Sequence, residues 1–182
     1  MDVSIIIVNY ITPVLLKNCI SSIFDKTDGV NFEIIVVDNN SNDGSEVLIN
    51  DNFPTVTYIQ SGSNLGFGKA NNLGVRIAKG RNIFFLNSDT ILLNNAVKIL
   101  SDYLDKNPKV GVCGGNLYDE NGIATHSHLK ILPGLFYEFN QICFSFYSKF
   151  FVKNFHHNYE KHPIEVSYVT GADMMIKKSL ID

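Results

Sequence analysis

Arg81-Asn82-Ile83-Phe84-Phe85-Leu86-Asn87-Ser88-Asp89-Thr90 is an apolar run that ends in a polar tip. Ile83 to Leu86 carry no polar interruption, the pattern of a strand covered on both faces, as in a parallel sheet. Asn87, Ser88 and Asp89 then fall just past the strand's carboxyl end. In open α/β sheets ligands bind along that edge. A carboxylate there, next to a carboxamide and a hydroxyl, suits a hard divalent cation that holds phosphate oxygens.

Upstream, three further strands of the same kind are predicted. Val3 to Val8 is a β-branched run that ends at Asn9-Tyr10. Phe32 to Val37 ends at Asp38 and the turn cluster Asn39-Asn40-Ser41-Asn42-Asp43-Gly44-Ser45. Val56 to Ile59 ends at the loop Ser61 to Gly68. Helices are expected between them. One starts at Pro13 with Thr12 as its cap and turns Val14, Leu15, Cys19, Ile20, Ile23 and Phe24 inward. A short one runs through Val47 to Ile49, and a third from about Lys69 to Ala78. A fourth, about Asn95 to Asp105, follows the opening stretch and stops before Pro108. The β-α alternation over the first 108 residues means a parallel sheet with right-handed crossovers and helices on both faces.

After Pro108 the rhythm changes. Val110, Val112 and the glycines at 111, 114 and 115 suggest an irregular strand, and Tyr118 to Ile123 a hairpin turning at Asn121-Gly122. His126 and His128 alternate on one strand face. Residues 131–152 crowd eight aromatic side chains, which reads either as a core cover or as a surface for a membrane, a partner or a greasy acceptor. A strand at Val166 to Val169 precedes Thr170-Gly171-Ala172-Asp173 and the apolar Met174-Met175-Ile176, with a helix-like Lys177 to Ile181 at the end.

The totals fit one domain. The chain has 182 residues, 45% of them hydrophobic and 18% charged, with a formal net charge of −3. No basic cluster points to nucleic acid. Cys19, Cys113 and Cys143 are odd in number and far apart, which fits a reducing cytosol rather than a disulfide framework or zinc site. Neither a signal peptide nor a membrane-spanning stretch is expected.

Two nucleotide-binding schemes and a hydrolase nucleophile elbow fail on spacing. No Gly-x-Gly-x-x-Gly follows the first strand, Gly68-Lys69 lacks a P-loop's upstream glycine and following hydroxyl, and no Gly-x-Ser-x-Gly occurs. What remains is one polar tip per strand. In a doubly wound sheet these tips share an edge. Asp38 suits a base N–H, and Tyr10 or the backbone after Val8 suits the face of the base. Gly66 and Gly68 permit close backbone approach, Lys69 or Arg76 suits a phosphate, and Asp89 suits a metal on a diphosphate. The plainer readings are that Asp38 and Asp43 order the turn, that Asp89 caps a helix, and that Asn64, Asn72 and Lys69 are solvated.

Val3 to Tyr10, Val36 to Ser45, Asn64 to Gly74 and Phe85 to Thr90, in that order and spacing, resemble the family 2 glycosyltransferases of GT-A fold, and most of all their bacterial rhamnosyltransferase-like branch. Thr170 to Ile176 looks like that branch's Gly-Ala motif, while 120–165 matches nothing familiar. The resemblance implies a GT-A fold, α/β with a Rossmann-like, mostly parallel central sheet and helices on both faces. It implies inverting transfer from a UDP- or dTDP-linked sugar to a hydroxyl acceptor, a glycan or lipid-linked glycan of cell-surface polysaccharide, with Mn2+ or Mg2+. Carried over, Asp38 contacts the base, Val8, Asn9 and Tyr10 the nucleoside, and Asp89 the metal as the last residue of a DxD-type motif. Here that motif is Asn87-Ser88-Asp89, with an amide in place of its first carboxylate. Asn64, Gly66, Gly68, Lys69 and Asn72 complete the donor side, and Asp173 lies on the acceptor side. The general base is expected beyond Asp182. The chain therefore reads as one GT-A domain lacking its C-terminal part, with 1–108 as nucleotide-binding half and 109–182 as the start of the acceptor half. A cytoplasmic protein is expected, with peripheral contact to the inner face of the plasma membrane and a homo-oligomer both compatible with it. The competing classes are a nucleotidyltransferase and a non-catalytic binding module.

Overall fold

The computed structural model describes residues 1–129, 157–160 and 162–181. It forms two compact units, Met1–Cys113 with Gly171–Asp182, and Gly114–Thr170. The aromatic stretch 131–152, His156 and Cys143 lie outside the described residues.

In the first unit the strands β1 (Val3–Asn9), β2 (Phe32–Asp38), β3 (Thr57–Gln60) and β4 (Asn82–Asn87) alternate with the helices α1 (Pro13–Lys26), α2 (Ser45–Asn52), α3 (Phe67–Ile77) and α4 (Ala96–Lys106). β5 (Val112–Gly114) follows. Two-residue strands β6 (His128–Leu129) and β7 (Tyr168–Val169) come next, and β8 (Asp173–Lys177) returns to the main sheet. The sheet order is β3-β2-β1-β4-β8-β5. β1 to β4 pair in parallel, and β8 lies antiparallel to β4 with Leu86 opposite Asp173 and Asn82 opposite Lys177. The expected parallel sheet with helices on both faces is present. Residues 171–182 belong to the first unit and add β8 to its sheet.

The strand period of two divides the core between the faces. Ile5, Ile7, Val36 and Phe84 pack with Leu16, Cys19, Ile20 and Ile23 of α1 and with Val97, Leu100 and Leu104 of α4. Ile6, Ile35, Val37 and Ile83 pack on the other face with Ala70 of α3. Each fully buried Ile or Leu stabilises the fold by roughly 1.5–3 kcal/mol before entropy is subtracted. The inner stripe of α1 is Leu16, Cys19, Ile20 and Ile23, the i, i+3, i+4, i+7 spacing of one helix face. Val14 and Leu15, expected inside, fall off that stripe and are 66% and 46% exposed. Two glycines allow close packing. A Cβ on Gly74 would meet Ile6 Cγ2 at 2.6 Å, and one on Gly80 would meet the Ser4 backbone nitrogen at 2.3 Å.

In the second unit, Asp119 Oδ1 accepts from the backbone N–H groups of Asn121 and Ile123, and Gly122 has φ +75°. This closes the expected turn, with Tyr118 bridged to Ala124. β6 pairs antiparallel with β7. His128 begins β6 and is buried, whereas His126 precedes the strand and is exposed, so the two do not share an open face.

Candidate functional site

The chain leaves β1 toward β2 and β3, then returns on the other side of β1 for β4. The junction between β1 and β4 is therefore the topological switch point, where the two following loops part and leave a crevice. Those loops are Tyr10–Thr12 and Ser88–Thr90. The carboxyl ends of β2 and β3 and the start of antiparallel β8 lie along the same edge.

A chain of hydrogen bonds crosses the switch point. Thr12 occupies the N-cap position of α1 but makes no capping bond. Its hydroxyl instead donates to Asn9 Oδ1 at 2.8 Å and lies 3.0 Å from Ser88 Oγ. A hydroxyl has one proton, and Thr12 gives it to a carbonyl oxygen that can only accept, so Ser88 donates to Thr12. Asn9 Nδ2 then donates to Asp38 Oδ1 at 2.7 Å, with Ser45 Oγ and Ser41 Oγ at 3.1 and 3.2 Å. Asp38 Oδ2 accepts from the Ser41 backbone N–H at 2.9 Å, and the Ser41 hydroxyl donates to Asp38 Oδ1. Ser41 Oγ also accepts from the backbone N–H of Ile11, a β-branched residue held at φ +57°. Such a conformation persists only where surroundings enforce it, and it clusters at functional sites.

This network changes the reading of two residues. Asp38 and Asn9, expected to touch the base and nucleoside, have no exposed surface. Their polar atoms meet each other and the Ser41 and Ser45 turn. As placed they orient the edge. Tyr10, in contrast, is 49% exposed, and Val8 is half-buried. Burial, then the nearby Asp38 carboxylate, raises the Tyr58 phenol above its ordinary value.

Carboxamides hold the α3 end of the edge. Asn39 Oδ1 accepts from the Leu65 backbone N–H, Asn64 Oδ1 from that of Gly66, and Asn71 Nδ2 donates to the Phe67 carbonyl. Gly66, at φ +76°, is the N-cap, so α3 begins at Phe67 rather than Lys69. Asn64, Gly66, Gly68, Lys69 and Asn72 are all exposed there. A Cβ on Gly66 or Gly68 would meet nothing within 4 Å. Asn72 faces solvent, and its neighbour Asn71 turns inward.

The β4 tip is braced from beneath. Thr90 Oγ1 donates to the Asn87 carbonyl at 2.7 Å, and the Asn87 backbone N–H donates to the Ala172 carbonyl at 3.0 Å. Cys19 Sγ approaches the same Asn87 carbonyl at 3.5 Å. Burial, with a smaller push from the Asp89 charge, raises the Cys19 thiol to about 12, so it stays protonated. Asn87 and Ser88 are half-buried, Asp89 is exposed, and Asp173 is buried opposite Leu86.

Among the described residues no three His, Cys, Asp or Glu side chains group as a metal site. The Asp89 carboxylate accepts no hydrogen bond among the described residues. One open carboxylate with a neighbouring carboxamide does not cage a cation by itself. It does fit Mg2+ or Mn2+ that keeps its waters and takes further oxygens from a diphosphate, the usual mode for such ions.

A second groove lies at the opposite end of the sheet, lined by Lys79, Arg81, Asp105, Lys177 and Lys178 among others. Three of its cations are occupied. Arg81 pairs with Asp2 and Asp105, Lys177 donates to the carbonyls of Asn107 and Pro108, and Lys178 donates to that of Ala78. That groove has no open cation for a phosphate among these three.

Thr12, Ser41, Ser45 and Asn39 are the site residues that the sequence reading missed. The dense Asn/Ser/Asp turn was the available signal for three of them. Thr12 was masked by its position in front of Pro13, where a cap is the ordinary reading.

The family model described as glycosyl transferase family 2 matches residues 4–181. The chain is 32% identical over 126 residues to an uncharacterized glycosyltransferase of Methanocaldococcus jannaschii, covering 66% of this chain and 43% of that one. It is 31% identical over 109 residues to the poly(ribitol-phosphate) beta-N-acetylglucosaminyltransferase TarP of Staphylococcus aureus, covering 58% of this chain and 33% of TarP. The fold is similar to the mannosyltransferase PcManGT of Pyrobaculum calidifontis, solved with GDP-Man and Mn2+, with a TM-score of 0.58 and 21% identity over 62% of this chain and 34% of that one. The chain thus spans less than half the length of each.

Proposed function

The chain belongs to glycosyl transferase family 2, and from that premise we propose that it binds a nucleotide-diphospho-sugar, UDP- or dTDP-linked, and transfers the sugar with inversion to a hydroxyl acceptor. Its fold is GT-A. The observation that carries the reading is the Ser88–Thr12–Asn9–Asp38 chain, which ties the tips of β4, β1 and β2 into one rigid edge and leaves Asp89 open beside it. A purely structural tip has no need of an exposed, unbonded carboxylate over a braced loop.

In this reading Tyr10 and the backbone after Val8 face the nucleoside, and Asp38 and Asn9 fix that surface from behind. Gly66, Gly68 and Lys69 meet the donor from α3, with Asn64 and Asn72 flanking them. Asp89, with Asn87 and Ser88 setting its loop, would hold a divalent metal, Mn2+ or Mg2+. When bound, that metal offsets negative charge on the diphosphate leaving group. The acceptor oxygen forms the new bond at the anomeric carbon as the bond to the diphosphate breaks. Asp173 lines the acceptor side, and the proton-accepting role is assigned to no residue of 1–182. The proposed halves are 1–108 for the nucleotide and 109–182 for the acceptor.

The finer assignments belong to the same proposal. The rhamnosyltransferase-like branch rests on the Gly-Ala motif at Gly171-Ala172. A role in cell-surface polysaccharide synthesis is supported by the name of the TarP relative. No helix among the described residues is long and apolar enough to cross a membrane. The proposed location is cytoplasmic, with peripheral contact at the inner face of the plasma membrane, and the proposed acceptor is a glycan or lipid-linked glycan.

Titration calorimetry with UDP, dTDP and GDP, with and without Mn2+, tests the donor reading. Metal-enhanced binding of UDP or dTDP is expected. No binding of any of the three in Mn2+ would contradict it.

A further inference from the structure

Phe67 is an exposed aromatic fixed in a place where an idle surface residue needs no fixing. It is 51% exposed, yet the backbone that presents it is held on each side. Asn39 secures Leu65, Asn64 secures Gly66, and Asn71 secures the Phe67 carbonyl itself. Gly66 at φ +76° sets the direction in which the first residue of α3 leaves the loop. Its ring carbon Cε1 lies 3.8 Å from where a Cβ on Gly171 would stand. A side chain at 171 would begin in ordinary contact with the edge of that ring.

The sheet register places this ring relative to Asp89. β8 runs antiparallel to β4 with Leu86 opposite Asp173, and the Asn87 N–H bonds the Ala172 carbonyl. Continued by one residue, that register sets Gly171 opposite Ser88, next to Asp89. The Phe67 ring thus reaches toward Gly171 at the start of β8, while Tyr10 follows β1 and Asp38 ends β2. A nucleoside lying toward β1 and β2, with its diphosphate at Asp89, puts the next group of the donor toward β8. That group is a sugar ring, whose C–H face is apolar and matches an aromatic face.

We propose that Phe67 is a platform for the pyranose ring of the donor, a binding contact that the nucleotide portion does not use. The inference rests on the donor reading above. Aromatic contacts of this kind change affinity by about three- to tenfold beyond simple area burial.

The test compares UDP with UDP-GlcNAc, in Mn2+, by titration calorimetry on the whole chain and on Phe67→Ala and Phe67→Tyr. The expected result is that Phe67→Ala weakens UDP-GlcNAc about three- to tenfold, leaves UDP unchanged, and that Phe67→Tyr restores the difference. Because the position is exposed, both variants are expected to melt at the wild-type temperature, which shows that any change in binding is not a loss of fold. If the wild-type chain binds neither compound, the donor reading fails and this one with it. If the wild type binds both and Phe67→Ala weakens them equally, or weakens neither, the platform alone is overturned.

Discussion

The Thr12 hydroxyl lies 3.0 Å from that of Ser88, across the switch point where the loops after β1 and β4 part. It joins the loop that carries Asp89 to Asn9 and, through it, to the buried carboxylate of Asp38. A position that ordinarily caps a helix is here used to fix the edge of a sheet.

Replacing Thr12 by Val keeps the shape and removes the link. Two hydrogen bonds of about 1 kcal/mol each are lost, so metal-dependent UDP affinity is expected to fall, by at most roughly thirtyfold. Thr12→Ser retains the hydroxyl and is expected to bind as the wild type does. Calorimetry on both variants checks this, and equal affinity for Thr12→Val and wild type would refute the coupling.

Asp38→Asn separates an organising carboxylate from a base contact. An amide there must turn its NH2 toward either the Asn9 amide or the Ser41 N–H, donor against donor. The expected cost is about 1–3 kcal/mol of stability, with a parallel loss of UDP affinity. Lost affinity at an unchanged melting temperature would show that Asp38 acts on the ligand directly.

Two glycines give opposite expectations. Gly80→Ala forces a methyl to 2.3 Å from the Ser4 backbone nitrogen and 2.6 Å from the Val3 carbonyl carbon. Backbone on both sides cannot yield cheaply, and roughly 3 kcal/mol of destabilisation is expected. Gly68→Ala meets nothing within 4 Å and improves helix propensity by about 0.5–1 kcal/mol. It is expected to bind UDP severalfold more weakly, because the close approach is closed. Thermal melts and calorimetry read both, and a Gly68→Ala protein that is more stable and binds unchanged would remove α3's first turn from the site.

The buried thiols predict an alkaline weakness. Burial pushes Cys19 and Cys113 from the ordinary 9.0 up to about 12. A folded value above the unfolded one means stability is intact below pH 9 and declines as pH rises from 9 toward 12. By pH 10 the loss is about 1 kcal/mol per thiol. Denaturant titrations at pH 8, 9 and 10 on wild type and on the Cys19→Ala/Cys113→Ala variant measure it. The variant is expected to show the shallower decline, and identical slopes would contradict the assignment.

Much of this architecture was legible before folding. Val3 to Val8, Phe32 to Val37 and Ile83 to Leu86 are β-branched or aromatic runs with a polar residue at the carboxyl end, and such runs have few alternatives to a buried strand. The Asp89 tip followed from the same pattern. What escaped notice depends on partners distant in sequence. Met174-Met175-Ile176 is merely apolar until β4 pairs with it in antiparallel register. Nothing local says that Asn9 and Asp38 will bury each other, since a polar strand end reads as exposed. The sequence pattern starts a helix at about Lys69, whereas the Gly66 cap, at a left-handed φ that a pattern of apolar residues does not reveal, starts it at Phe67.

The central claim is that Asp89 takes part in holding a nucleotide diphosphate through a divalent metal. UDP affinity measured by calorimetry with and without Mn2+, on wild type and Asp89→Ala, tests it directly. The carboxylate is exposed and makes no hydrogen bond among the described residues, so the variant is expected to melt at the same temperature. Mn2+ is expected to strengthen UDP binding to the wild type and to do nothing for Asp89→Ala. An undiminished Mn2+ enhancement in the variant would contradict it.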